Sequence, residues 1–170
     1  LINFARAYAL AIYKSDSLNE MRVSNATLNG LLNVEMEMHI SFCKEWQISE
    51  KTIESQSPGL ATLAYTSFVL ERGMAGDVLD LHVALAPCVI GYWEIGEKLA
   101  LNKKDKLSPN PYQKWIDMYA SDEYYQVATD AIYLLERVSE DLLTPRRLQK
   151  LKNTFRQATL LESAFWEMCL

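Results

Sequence analysis

The 170-residue chain has a formal net charge of −5, with 49% apolar and 23% charged residues, an ordinary globular balance at a length that suits one domain with its own core. It carries no basic run to release counterions from phosphates, which sets nucleic-acid binding aside. Only 6 glycines and 5 prolines favour long helices over a turn-rich sheet, and the three cysteines, Cys43, Cys88 and Cys169, form no CxxC and cannot all pair, which points to reduced thiols in a cytosol.

The apolar period is helical almost throughout. Leu1, Phe4, Ala5, Tyr8, Ala9 and Ile12 predict a first helix to about Lys14, already under way where the chain opens. A second is expected from Asn25 to about Trp46, with Leu28, Leu31, Leu32, Met36, His39, Ile40 and Cys43 along one stripe. Ser57-Pro58 reads as an N-cap followed by proline at the first helical position, opening a third helix that ends near Gly73. Gly76-Asp77 starts the next, which runs through Cys88 to about Leu101 and is followed by a polar linker from Asn102 to Ser108. Its longest apolar run, Val83 to Trp93, is too short to span a bilayer and contains Pro87 and Gly91. No charged segment followed by a cleavage site marks a signal peptide.

Asn110-Pro111 repeats the cap-and-proline signal before a short helix carrying Trp115 and Tyr119. Ser121 begins another helix, with Asp122 and Glu123 complementing its dipole, and Thr144-Pro145 opens the last, carried to the end of the chain. The expectation is an all-α fold, a single bundle of about seven helices over residues 1–170, with helix continuing past both ends.

Within this frame Cys88 is the first candidate for chemistry. Pro87 removes a backbone hydrogen bond inside an apolar helix and is expected to kink it beside the thiol, with Tyr92 one turn on along the same face. The bland alternative is a small buried hydrophobe; function would require a partner that lowers the thiol's pKa or protonates what it attacks. Glu162 can be that partner. It stands among apolar and small neighbours, with Phe165 and Trp166 at i+3 and i+4, where burial raises a carboxyl's pKa into the range of a general acid. The alternative is a solvated glutamate on an outer face. Tyr65, Tyr92 and Tyr119 lie in apolar stretches, as core or as the wall of a pocket for a flat aromatic ligand. Glu35 and His39, at i and i+4, read as a hydrogen-bonded pair rather than metal ligands, because His82 is the only other histidine. Glu136, Glu140 and Asp141 read as a solvated face.

Several stretches carry a resemblance: Glu35-Met-Glu-Met-His39, Ala64-Tyr65-Thr66-Ser67, Ala86-Pro87-Cys88, and Gly91-Tyr92-Trp93-Glu94-Ile95-Gly96-Glu97. They continue with Pro111-Tyr-Gln-Lys-Trp115-Ile-Asp-Met-Tyr119 and Glu162-Ser-Ala-Phe165-Trp166. Taken in order, they resemble the TenA (thiaminase II) family, whose fold is the haem-oxygenase-like helical bundle. The resemblance implies that Cys88 is the nucleophile, which places the chain in the cysteine-containing branch. It also implies that Glu162 is the catalytic glutamate and that Tyr65, Tyr92 and Tyr119 are pocket tyrosines. The implied reaction releases hydroxymethyl pyrimidine from thiamin or its aminomethyl-pyrimidine breakdown products, with no metal or organic cofactor. The family pattern further implies an aspartate that grips the aminopyrimidine, just before the segment matching Leu1 to Ala5, and a cytoplasmic homo-oligomer, a tetramer. Two other readings stay open: a haem-oxygenase-like oxidase or oxygenase, and a pyrimidine-binding regulator without catalysis.

Overall fold

The computed structural model describes residues 1–101 and 110–168, and within them every regular element is helical. α1 (Ile2–Lys14) buries Ala7, Tyr8 and Ala11. α2 (Leu18–Gly30) begins under a capping arrangement in which Ser17 Oγ accepts the Glu20 amide at 3.2 Å and Glu20 Oε2 accepts the Asp16 amide at 3.2 Å. Arg137 ties that corner to the far side of the bundle by donating to Ser17 Oγ at 2.9 Å and Glu20 Oε1 at 3.1 Å. The helix expected from Asn25 therefore starts at Leu18, because Ser17-Leu-Asn-Glu20 is itself a start signal.

At Leu31–Glu35 the rod widens into a single π-helical turn, in which the Met36 amide bonds to the Leu31 carbonyl, and it continues as α3 (Met36–Glu45). Such a turn inserts one residue into the helical ladder and shifts every later side chain around the axis. Leu32, expected on the apolar stripe, is left 42% exposed. A short helix with no expected counterpart, α4 (Glu50–Ser55), follows under a Ser49 cap.

α5 (Leu60–Ala75) starts after Gly59 with no side-chain cap, two residues beyond the expected Pro58 position. Proline holds the residue before it extended, and here the chain stays extended through Gly59 as well. α6 (Val78–Leu101) carries Pro87 inside it without ending. Asp77 Oδ1 accepts the Leu79 and Asp80 amides at its start, and Arg147 clamps Asp77 and Asp80 from α9 (Pro145–Glu167). Asn110 Oδ1 accepts the Tyr112 amide at 2.9 Å ahead of α7 (Gln113–Tyr119). Ser121 caps α8 (Asp122–Leu142) and Thr144 caps α9, both as expected. The expected linker, Asn102 to Ser108, lies outside the described residues, as does Cys169.

With α2, the π-turn and α3 forming one rod, the described residues build the expected all-α bundle, α4 being the addition. α6 is its axis, packed by α5, α7, α8, α9 and α1. By length and composition α6 could cross a membrane, with a mean hydropathy of 1.4 over its most apolar window, since its few charges lie near the ends rather than within the run counted from Val83. Half of that window is buried inside the bundle, which is how the central helix of a helical core reads. Leu81, Ala84, Leu85 and Val89 meet Ala7, Ala11, Tyr65, Val69 and Ala158, and each aliphatic side chain of leucine size buried this way contributes about 1.5–3 kcal/mol. Gly96 permits the closest approach along α6: a Cβ there would stand 2.7 Å from the carbonyl carbon of Tyr119. That contact seats α7 against the axis. Glu136, Glu140 and Asp141 are exposed, as expected of a solvated face.

Candidate active site

Cys88 and Tyr92 fall one turn apart on α6, and both open into a cavity of about 1150 Å³ between α1, the π-turn rod, α5, α6 and the ends of α8 and α9. Tyr65 of α5 and Glu162 of α9 line the same space. Four residues singled out from the sequence thus converge on one cavity. The fifth, Tyr119, does not line it. It is fully buried behind the wall, with its ring 5.1 Å from that of Tyr92 and 4.7 Å from that of Tyr124.

Further aromatic rings stand in the wall beside these residues. Tyr92 packs at 5.9 Å from Trp115 and 5.6 Å from Trp166, and Phe4 meets Tyr65 edge-on at 5.3 Å. Trp115, Tyr124, Trp166 and Phe4 were not singled out from the sequence as lining residues. Of these, Trp115 stands one turn before Tyr119 on α7 and Trp166 one turn after Glu162 on α9, and that spacing equally describes core.

Glu162 is 8% exposed, and burial raises its carboxyl pKa. Tyr92, Tyr65 and Trp166 lie close enough to pull that value part of the way back. Even so, Glu162 Oε2 and the Tyr65 hydroxyl are buried without a hydrogen-bond partner. Unpaired polar atoms cost free energy unless something supplies their bonds, and here both face a space that can hold a ligand.

Cys88 is partly buried, with its sulfur opening onto the cavity. Its thiol donates to the Leu85 carbonyl at 3.0 Å. Burial pushes its pKa well up, the negative charges of Glu162 and Glu35 add to this, and only the Tyr65 hydroxyl and a backbone contact work the other way. The resting sulfur is therefore a protonated thiol, not a standing thiolate. Burial likewise keeps the hydroxyls of Tyr65, Tyr92 and Tyr119 protonated, so each is available as a donor.

Glu35 enters the same cavity from the π-turn. Its Oε1 accepts the Tyr119 hydroxyl at 2.9 Å and lies 3.8 Å from His39 Nε2, so the expected i,i+4 neighbours meet at ion-pair range, too far apart for the hydrogen bond expected from the sequence. Among the described residues no group of three or more His, Cys, Asp or Glu side chains is arranged to hold a metal.

This architecture has known counterparts. A crystal structure from a Silicibacter species, described as a TenA family transcription regulator, superposes with a TM-score of 0.92 at 41% identity, over 98% of this chain and 75% of that one. An aminopyrimidine aminohydrolase from Halalkalibacterium halodurans is 37% identical over 169 residues, 99% of this chain and 74% of the relative. An uncharacterized protein from Haemophilus influenzae is 36% identical over 170 residues, 100% of this chain and 78% of the relative. The helical haem-oxygenase-like bundle expected from the sequence is thus the fold. The sequence profile of the TENA/THI-4/PQQC family matches residues 1–170, and the chain belongs to that family.

Proposed function

We propose that this chain is a thiaminase II-type hydrolase that releases hydroxymethyl pyrimidine from an aminomethyl-pyrimidine or from thiamin, with Cys88 as nucleophile and Glu162 as proton carrier. One observation carries the reading: an orphaned carboxyl oxygen and an orphaned tyrosine hydroxyl share an aromatic-walled cavity with a partly exposed thiol. Relatives named for aminopyrimidine hydrolysis support it.

The raised pKa values of Cys88 and Glu162 shape the chemistry. As the sulfur adds to an electron-poor ring carbon, its proton passes to Glu162, and Glu162 delivers a proton to the ring nitrogen that gains negative charge. The uncharged ring of the adduct then pushes an electron pair toward the exocyclic methylene. The bond from that carbon to the leaving group breaks, and an aminomethyl substrate, whose amine enters protonated, releases ammonia and leaves the positive charge on the ring. Water adds to the methylene and loses a proton to the ammonia. The carbon–sulfur bond then breaks, the ring nitrogen gives up its proton, and Glu162 returns it to the sulfur. Tyr65 and Tyr92 hold the ring against the wall, and Tyr119 acts from behind it, through Tyr92 and Glu35.

In the same reading the protein works in the cytosol as a homo-oligomer, a tetramer. Incubation of purified protein with 4-amino-5-aminomethyl-2-methylpyrimidine should yield hydroxymethyl pyrimidine and ammonia in equal amounts. Tight pyrimidine binding with no product would replace the hydrolase with the second reading, a ligand-binding regulator, which the description of the Silicibacter protein favours.

A further inference from the structure

The proposed reaction uses Glu162 for proton transfer and gives a second cavity carboxylate, Glu35, no contact with the substrate. Helix geometry accounts for its position. The π-turn at Leu31–Glu35 displaces the ladder by one residue just before Glu35, and the side chain enters the cavity with 21% of its surface exposed. One oxygen is committed, since Oε1 takes the Tyr119 hydroxyl and neighbours His39. Among the described residues no hydrogen bond or ion pair reaches Oε2.

The charge around it is lopsided. Carboxyl groups of Glu35, Glu123 and Glu162 line the cavity, and among the described residues the only arginine or lysine in the lining, Arg6, is exposed and donates to Asn3 Oδ1 at 2.8 Å. The negative charge of Glu35 is felt by Cys88, Tyr92, Tyr119 and Tyr124, all of whose pKa values it helps to raise. A carboxylate with one free oxygen in an aromatic cavity, with His39 beside its other oxygen and no lysine or arginine among its described ion-pair partners, is complementary to a positive ligand group.

We infer that Glu35 is a specificity-determining residue that selects pyrimidines bearing a cationic group on the exocyclic methylene, such as a protonated amine or a quaternary ring nitrogen, over neutral ones. This rests on the pyrimidine reading of the site and names the part of the substrate that the reading leaves open. Once hydrolysis has exchanged the cation for a neutral hydroxyl, the contact with Glu35 is lost, so the same residue favours product release.

The test is equilibrium binding by titration calorimetry on the full chain carrying Cys88→Ser, which removes turnover. The probes are 4-amino-5-aminomethyl-2-methylpyrimidine, protonated at neutral pH, and its hydroxymethyl counterpart. The cationic ligand should bind about tenfold more tightly at low ionic strength, with the preference shrinking as salt rises. Glu35→Gln, which keeps an acceptor for Tyr119, should cut the preference to about twofold or less. Glu35→Met is the second variant should the amide disturb the fold. A preference of undiminished size in a folded Glu35 variant, or equal affinities in the parent, overturns the inference and leaves the hydrolase reading standing. Failure of both ligands to bind removes that reading and this inference together.

Discussion

Two places along α6 hold buried polar atoms without partners, and they differ in what surrounds them. On one side, Ser24 Oγ and His82 Nε2 face a pocket of about 20 Å³ closed by Tyr8, Leu85, Ala131 and Leu134. On the other, the Tyr65 hydroxyl and Glu162 Oε2 face the large cavity. Tyr8, Thr27 and Val89 line both. A space of the smaller size admits one water molecule and no substrate, so the deficit at His82 acts on stability alone. The same kind of deficit beside Cys88 has room for a ring. An orphaned polar atom therefore points to function only where the fold also leaves volume for whatever would satisfy it.

Substitutions at the larger site test this contrast with the largest expected effects. Cys88→Ser should lower turnover by about 10³-fold or more while the pyrimidine dissociation constant stays within about threefold, read by product assay and calorimetry. Residual activity near that of the parent would end the nucleophile assignment. Glu162→Gln should slow the reaction by about 10²–10⁴-fold, the usual loss for a general acid, whereas a purely structural glutamate would lower the melting temperature with little change in rate.

The smaller site should respond to pH instead. Burial holds the His82 imidazole neutral and lowers its pKa to about 4, against an opposing pull from Glu20. The unfolded chain takes up that proton near its ordinary value of 6.5, so the contribution is fully present above pH 6.5 and is lost as pH falls toward 4. Denaturant titrations across that window should show a fall of roughly 3 kcal/mol, and His82→Asn should flatten it. A stability curve already flat in the parent would mean that the imidazole is solvated.

The smallest change sharpens the link between packing and the cavity wall. Gly96→Ala drives a methyl group toward the backbone of Tyr119 and should cost about 1–3 kcal/mol of stability. Because Tyr119 backs Tyr92 and bonds to Glu35, KM should rise along with the drop in melting temperature. A loss of stability with KM untouched would separate α7 from the site.

Much of this was legible in the sequence wherever one residue type has one physical use. Ser121 and Thr144 each precede a helix as caps, and both were readable as such. Cys88, Tyr92, Tyr65 and Glu162 could be placed on apolar faces by their period, and the family resemblance joined them. The start of α2 was missed because the polar stretch from Ser17 to Ser24 carries only a weak apolar stripe, although its capping pair was present. α4 is a single short, exposed segment, too brief for periodicity to register. The π-turn has no residue signature at all, since the extra residue is accommodated by packing against neighbours distant in sequence. For the same reason Tyr119 could not be placed behind the wall rather than in it, nor Glu35 given a free oxygen inside the cavity.

The bond from the Cys88 thiol to the Leu85 carbonyl bears on how this protein meets oxidants and drugs. Peroxide and common alkylating reagents react with thiolates, and burial keeps this sulfur a thiol. Slow reaction with peroxide or iodoacetamide at neutral pH is therefore expected of this sulfur. An inhibitor built on a reactive warhead alone should label it slowly. In the proposed reaction, a faster one would carry a ring that accepts the sulfur while Glu162 takes its proton.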